Sequence, residues 1–167
     1  NDDALVKLAT IAQRIMLANN KGEGDDGFLS AEEKAQLLDQ LEEAKIECGV
    51  KGIVEKNISA LPGITEHRFN QLQEIEAVLN FLNIQLKKIR RRYFQKYLEG
   101  YQRALSSRDA EKYVDGEDEV IEYEILINEV ALIRNKWLGI MKGLDTKQWQ
   151  LGHIVKLRTA GMEDVSL

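Results

Sequence analysis

Proline is almost missing from this chain. One Pro in 167 residues compares with roughly eight at average usage of about 5%. The commonest helix breaker is therefore absent from nearly the whole length. Cysteine is scarcer still in effect. Cys48 is the only one, so no intramolecular disulfide framework can form, and a reducing compartment is expected. Histidine occurs twice, as His67 and His153. They are far apart and neither has a partner at metal-ligand or catalytic spacing. No apolar run approaches the ~18 residues that span a bilayer, and no secretory signal is legible. No membrane partner is expected, and the expected location is the cytoplasm.

What is present is helical. Hydrophobic residues make up 44% and charged residues 31%, a balance that builds a core rather than a disordered polymer. Leu72, Leu79, Leu86 and Tyr93 are seven apart, and so are Ile75, Leu82 and Ile89. These are the a and d positions of about three heptads. They predict one long helix from Thr65 to Leu105. Tyr93, Tyr97 and Tyr101 then step by four, a stutter that turns the stripe round the helix.

Shorter helices are expected on either side. The first covers Asp2 to Asn19. A second begins at Ser30, whose S-x-x-E spacing to Glu33 reads as a capping box, and stops at Gly49 and Gly52. A weak helix follows to about Ser59. Leu61-Pro62-Gly63 is the sharpest expected boundary. Beyond the long helix, Ser106 or Ser107 caps a short helix through Val114, and Asp115-Gly116 is a turn. Glu117 to Lys142 forms another long helix, with Val120, Ile127, Val130, Ile133, Trp137, Ile140 and Met141 on its apolar face. Gly143 ends it. A last helix runs from Asp145 or Thr146 to Ala160, with Trp149 and Ile154 inward and Gly161 as its C-cap.

The expected fold class is therefore all-α. A coiled-coil-like helix packs in a helical hairpin or bundle over residues 64–167, and residues 1–63 form an acidic N-terminal helical arm. The long seam needs a partner along its length, which predicts a homo-oligomer.

Most motifs dissolve on inspection. Gly22-Glu23-Gly24-Asp25-Asp26-Gly27 fits G-x-G-x-x-G, but a helix precedes it and its acids repel phosphate. As an EF-hand it would put Gly22 and Gly24 where side-chain oxygens are required. Adjacent acids such as Glu42-Glu43 and Asp118-Glu119 read as solvated helix faces. No nucleophile motif occurs. The chain is expected to be no enzyme and to carry no catalytic residue, metal site or cofactor.

Charge is where the pattern lies. The net charge of −5 conceals two abutting blocks. Gln85 to Arg108 carries +7, and Asp109 to Glu124 carries −7. The basic block also holds Tyr93, Phe94, Tyr97 and Tyr101, four of the chain's eleven aromatics. Cations that track phosphates beside rings that accept bases suit single-stranded nucleic acid. The candidate binding residues are Lys87, Lys88, Arg90, Arg91, Arg92, Tyr93, Lys96, Tyr97 and Arg103, with Lys87, Lys88, Arg91 and Arg92 read as flanking the seam along i, i+4 rows. The alternative is structural: Tyr93 as core, and the cations paired with Asp115 to Glu124 within the chain or between subunits.

The order of parts in the second half is a basic–aromatic helix, an acidic connector, a long helix with a central aromatic and a short final helix. With His153-Ile154, Arg158 and Ala160-Gly161 near the end, this resembles the UvsY-like recombination mediators of T4-type phages. The resemblance covers about Leu86 to Gly161 and leaves residues 1–63 outside it. It implies an oligomeric, non-enzymatic mediator that binds single-stranded DNA in the host cytoplasm and helps a recombinase displace a single-strand-binding protein. Lys87, Lys88, Arg90, Arg91, Arg92, Tyr93 and Tyr97 would fall in the DNA-contacting segment. The alternative expectation is a structural assembly protein, such as a phage virion component, whose charged helices contact neighbouring subunits.

Overall fold

The computed structural model of the chain describes residues 31–100 and 105–161. The expected first helix, the Gly-rich loop at 22–27, the Ser30 cap, Tyr101, Arg103 and the tail from Met162 lie outside them. The described residues are all-α, with four helices and no strand: α1 (Ala31–Cys48), α2 (Val54–Gly100), α3 (Ser107–Asp115) and α4 (Asp118–Thr159). At 1.5 Å per residue, α2 is roughly 70 Å long and α4 roughly 63 Å. They pack antiparallel as a hairpin. The heptad seam forms its interior: Leu72, Ile75, Leu79, Leu82 and Ile89 bury against Val120, Tyr123, Leu126, Val130, Trp137 and Ile140.

A third helix covers the hairpin at each end. At the loop end, α3 places Val114 in the core and Ala110 out of solvent. Its N-terminus is capped as expected, with Ser106 Oγ accepting from the Asp109 backbone N–H at 3.2 Å. At the open end, α1 adds Leu41 and Ala44 to the same core. Gly52, at φ 76°, takes the left-handed turn that sends the chain from α1 into α2. Residues on both sides of position 63 thus share one core. Gly161, at φ 82°, lies just past the end of α4, where a C-cap glycine was expected.

Four expectations are corrected. Leu61-Pro62-Gly63 is no boundary, because α2 starts at Val54 and runs through it. Pro62 and Gly63 are both exposed. The carbonyl that Pro62 leaves unpaired, that of Ile58, can be satisfied by water on that side. The predicted C-terminal end at Leu105 is also too late, since Leu105 is outside any helix.

Gly143 does not end the last long helix. α4 passes through it to Thr159. Gly143 is a packing glycine: a Cβ there would sit 2.7 Å from Cys48 Sγ, so its absence lets the end of α1 close on α4. Trp149 in turn is not inward but 68% exposed. With the helix unbroken, the register of Trp137, Ile140 and Leu144 continues to Lys147 and Leu151, and Trp149 is carried to the outer side.

No helix of the described residues is long and apolar enough to cross a membrane.

Candidate nucleic-acid interface

Helical geometry sorts the basic block into two sets. At 100° per residue, Arg90 and Arg92 lie roughly 70–90° from the centre of the Leu82–Leu86–Ile89–Tyr93 seam, while Lys87, Lys88 and Arg91 lie roughly 130–170° from it. The first pair flanks the interface with α4. The second set points away from it, which corrects the reading of Lys87, Lys88 and Arg91 as seam-flanking.

The flanking pair is consumed within the chain. Arg90 meets Asp115 at 2.5 Å and Glu124 at 3.5 Å. Arg92 pairs with Glu119. Tyr93 donates its hydroxyl to the same Glu119 carboxylate at 2.9 Å, and Tyr97 donates to Glu117. Glu119 holds the Arg92 guanidinium above its usual pKa. Burial, and then the Glu119 carboxylate, push the Tyr93 phenol up. Both tyrosine rings are half-buried against the core, and Tyr97 also stacks on Tyr113 of α3 at 5.4 Å between centroids. Neither ring is an open platform for a base. Of the two roles weighed for these four residues, the pairing with the acidic block is the one the geometry displays.

Lys87, Lys88 and Arg91 are exposed and make no ion pair among the described residues. Lys96 is exposed, with its ammonium 5.4 Å from the Tyr93 ring centroid and 5.9 Å from that of Tyr97. Arg103 lies outside the described residues. Of the nine candidates, Arg90, Arg92, Tyr93 and Tyr97 thus form an inward set held by acids and Lys87, Lys88 and Arg91 an outward set, while Lys96 belongs to neither.

A second polar site, at the open end, was missed from sequence. Arg68 is 1% exposed on α2. It forks onto Glu47 of α1 at 2.8 and 3.0 Å, and bonds Gln40 and Gln71 at 3.0 Å each. The Trp137 indole donates to the same Gln71 oxygen at 3.1 Å, and buried Lys147 donates to the Glu47 backbone carbonyl at 2.8 Å. Burial opposes the Arg68 charge, but Glu47 and Glu43 outweigh it and the net shift is upward. Among the described residues no buried side-chain polar atom lacks a partner, which marks this as a satisfied structural clamp. A signal was available: Arg68, Ile75, Leu82 and Ile89 are successive sevens, so Arg68 occupies a core heptad position.

Little else suggests chemistry. Among the described residues no three His, Cys, Asp or Glu side chains gather to hold a metal. Cys48 is half-buried, donates weakly to the Ile140 carbonyl at 3.6 Å, and has its thiol pushed up by burial and then by Glu47. An open groove of about 860 Å³ lies between the start of α2 and the end of α4, lined mainly by apolar side chains including Ile58, Leu61, Phe69, Met141 and Val155. The comparisons with protein-family models, curated proteins and solved structures find no match to this chain.

Proposed function

We propose that this chain is a non-enzymatic structural assembly protein, a long helical hairpin whose charged helices mediate contacts between subunits. The observation that carries this reading is the double-sided character of α4. One side of α4 fills the core. The opposite side exposes Ile121, Ile125 and Leu132, which fall within roughly 40° of one another at 100° per residue. A helix that is apolar on both sides is normally packed on both sides. The cross-helix pairing of Arg90, Arg92, Tyr93 and Tyr97 supports the same reading, because it assigns these residues to holding the hairpin rather than to a ligand. In a phage such a protein would belong to the virion. Sedimentation velocity should give a mass of several times 19.1 kDa; a monomer at high micromolar concentration and low salt overturns the reading.

The outward set favours a second reading, the single-stranded-DNA-binding mediator. Lys87, Lys88 and Arg91 are free of acids among the described residues and offer three phosphate contacts on one face. In this reading the protein works in the host cytoplasm beside a recombinase and a single-strand-binding protein. Changing all three to Ala should flatten the salt dependence of filter retention by roughly 0.7 per lost contact. Failure of the unaltered protein to retain single-stranded DNA at low salt removes this reading and leaves the first.

A further inference from the structure

We infer that copies of this chain stack side by side, with the outer face of α2 in one copy seated on the outer face of α4 in the next. This rests on the assembly reading above and names its interface. The two faces are matched in three respects: chemistry, length and register.

The outer face of α2 presents Ile84, Lys87, Lys88 and Arg91; that of α4 presents Asp118, Ile121, Glu122 and Ile125. All eight are exposed. None of the charged ones has an ion-pair partner among the described residues. One face is basic around an isoleucine, the other acidic around two. Opposite charge of this kind steers association and fixes register.

Ile84 to Arg91 and Asp118 to Ile125 are eight residues each, seven steps or roughly 10 Å of helix. The register follows from the hairpin itself. Gln71 meets Trp137, Tyr93 meets Glu119 and Arg90 meets Glu124 across the hairpin, so within one copy Ile84, Lys88 and Arg91 lie within about one turn of the levels of Ile125, Glu122 and Asp118. The two faces point in opposite directions, away from the shared seam. A sideways displacement of one copy, with at most about one turn of sliding along the hairpin, therefore brings Ile84 to Ile125, Lys88 to Glu122 and Arg91 to Asp118. Each copy uses two different faces, so the contact is heterologous and propagates into a ring if the rotation closes or a filament if it does not.

A charge exchange tests this on the full chain. The pair K88E/R91E makes both faces acidic, and D118K/E122K makes both basic. All four positions are exposed, so helicity by circular dichroism should not change. The unaltered protein should sediment as an assembly at low salt and dissociate as salt rises. Each variant alone should sediment at 19.1 kDa, and an equimolar mixture should regain the assembled mass. If the unaltered protein assembles and either variant alone assembles equally well, this interface is wrong while the assembly reading stands. A mixture that stays monomeric also overturns the interface. A monomeric unaltered protein overturns both. If K88E/R91E keeps the assembled mass but loses retention of single-stranded DNA, these cations serve nucleic acid and the stacking inference falls.

Discussion

At the open end of the hairpin, a guanidinium that is 1% exposed joins α1 to α2 through Glu47, Gln40 and Gln71. At the loop end, Arg90 and Arg92 join α2 to the acidic segment of α3 and α4 with side chains 34% and 59% exposed. The bonds are chemically alike: a guanidinium crosses a helix interface to a carboxylate. What differs is water. In the first site the guanidinium is shut away from water, and its removal takes the fork from Glu47 and one donor each from Gln40 and Gln71. In the second, water replaces whatever is lost. Equal-looking ion pairs thus have unequal structural weight, and each end can be tested for it.

The largest effect is expected from Arg68→Ala. Breaking a buried, hydrogen-bonded ion pair from one side costs about 3–5 kcal/mol, and here Glu47 loses its forked partner while two glutamine oxygens each lose one donor. Chemical denaturation should show the loss. The near-ultraviolet circular dichroism of Trp137 should change with it, since its indole shares the Gln71 oxygen with Arg68. Arg68→Lys should recover only part, because an ammonium cannot make the forked contact to Glu47. A cost under about 1 kcal/mol would erase the distinction between the two ends.

Next comes the close approach of α1 to α4. Gly143→Ala places a Cβ 2.7 Å from Cys48 Sγ and 3.2 Å from Cys48 Cβ, and overpacking of this kind costs about 1–3 kcal/mol. In the Cys48→Ala background the sulfur is gone. The same change should then cost much less: the 3.2 Å contact with the remaining Cβ still has to give, but Ala is a better helix former than Gly by up to about 1 kcal/mol. A double-mutant cycle measures the coupling. Additive effects would mean that α1 does not close on α4 at this point.

These two sites also show where the sequence was legible. The seam was readable because a seven-residue period fixes which side chains share a face, and nearly all of those residues are buried where the period puts them. Pro62 and Gly143 do not end their helices, because the effect of a breaker depends on which side of the helix it occupies as well as on its identity. Pro62 is on the wet side, and Gly143 is where a neighbouring helix needs room. The expected place of Trp149 depends on the second, since an inserted helix end resets the register. Arg68 belongs to no motif, and only its heptad position, seven residues before Ile75, places it in the core. The basic block was read as one patch, and both of its possible roles remained open. Its division needed only the angle of each residue from the seam, which separates Arg90 and Arg92 from Lys87, Lys88 and Arg91.

The smallest effect is expected at the loop end, and it completes the comparison. Arg92→Ala removes the pair with Glu119, yet Glu119 still accepts the Tyr93 hydroxyl at 2.9 Å. Arg92 is more than half exposed, so its charge is screened and its long side chain is released to solvent. The expected cost is below about 1 kcal/mol and should shrink further as salt is raised. Glu119→Ala should cost more than Arg92→Ala, because Glu119 is 23% exposed and serves two donors at once. The half-buried Tyr93 hydroxyl would lose its acceptor as well. Thermal or denaturant melts at low and high salt give both values. A salt-insensitive loss at Arg92 as large as that at Arg68 would mean that the loop end is as dry in solution as the open end, and that exposure does not set the weight of these pairs.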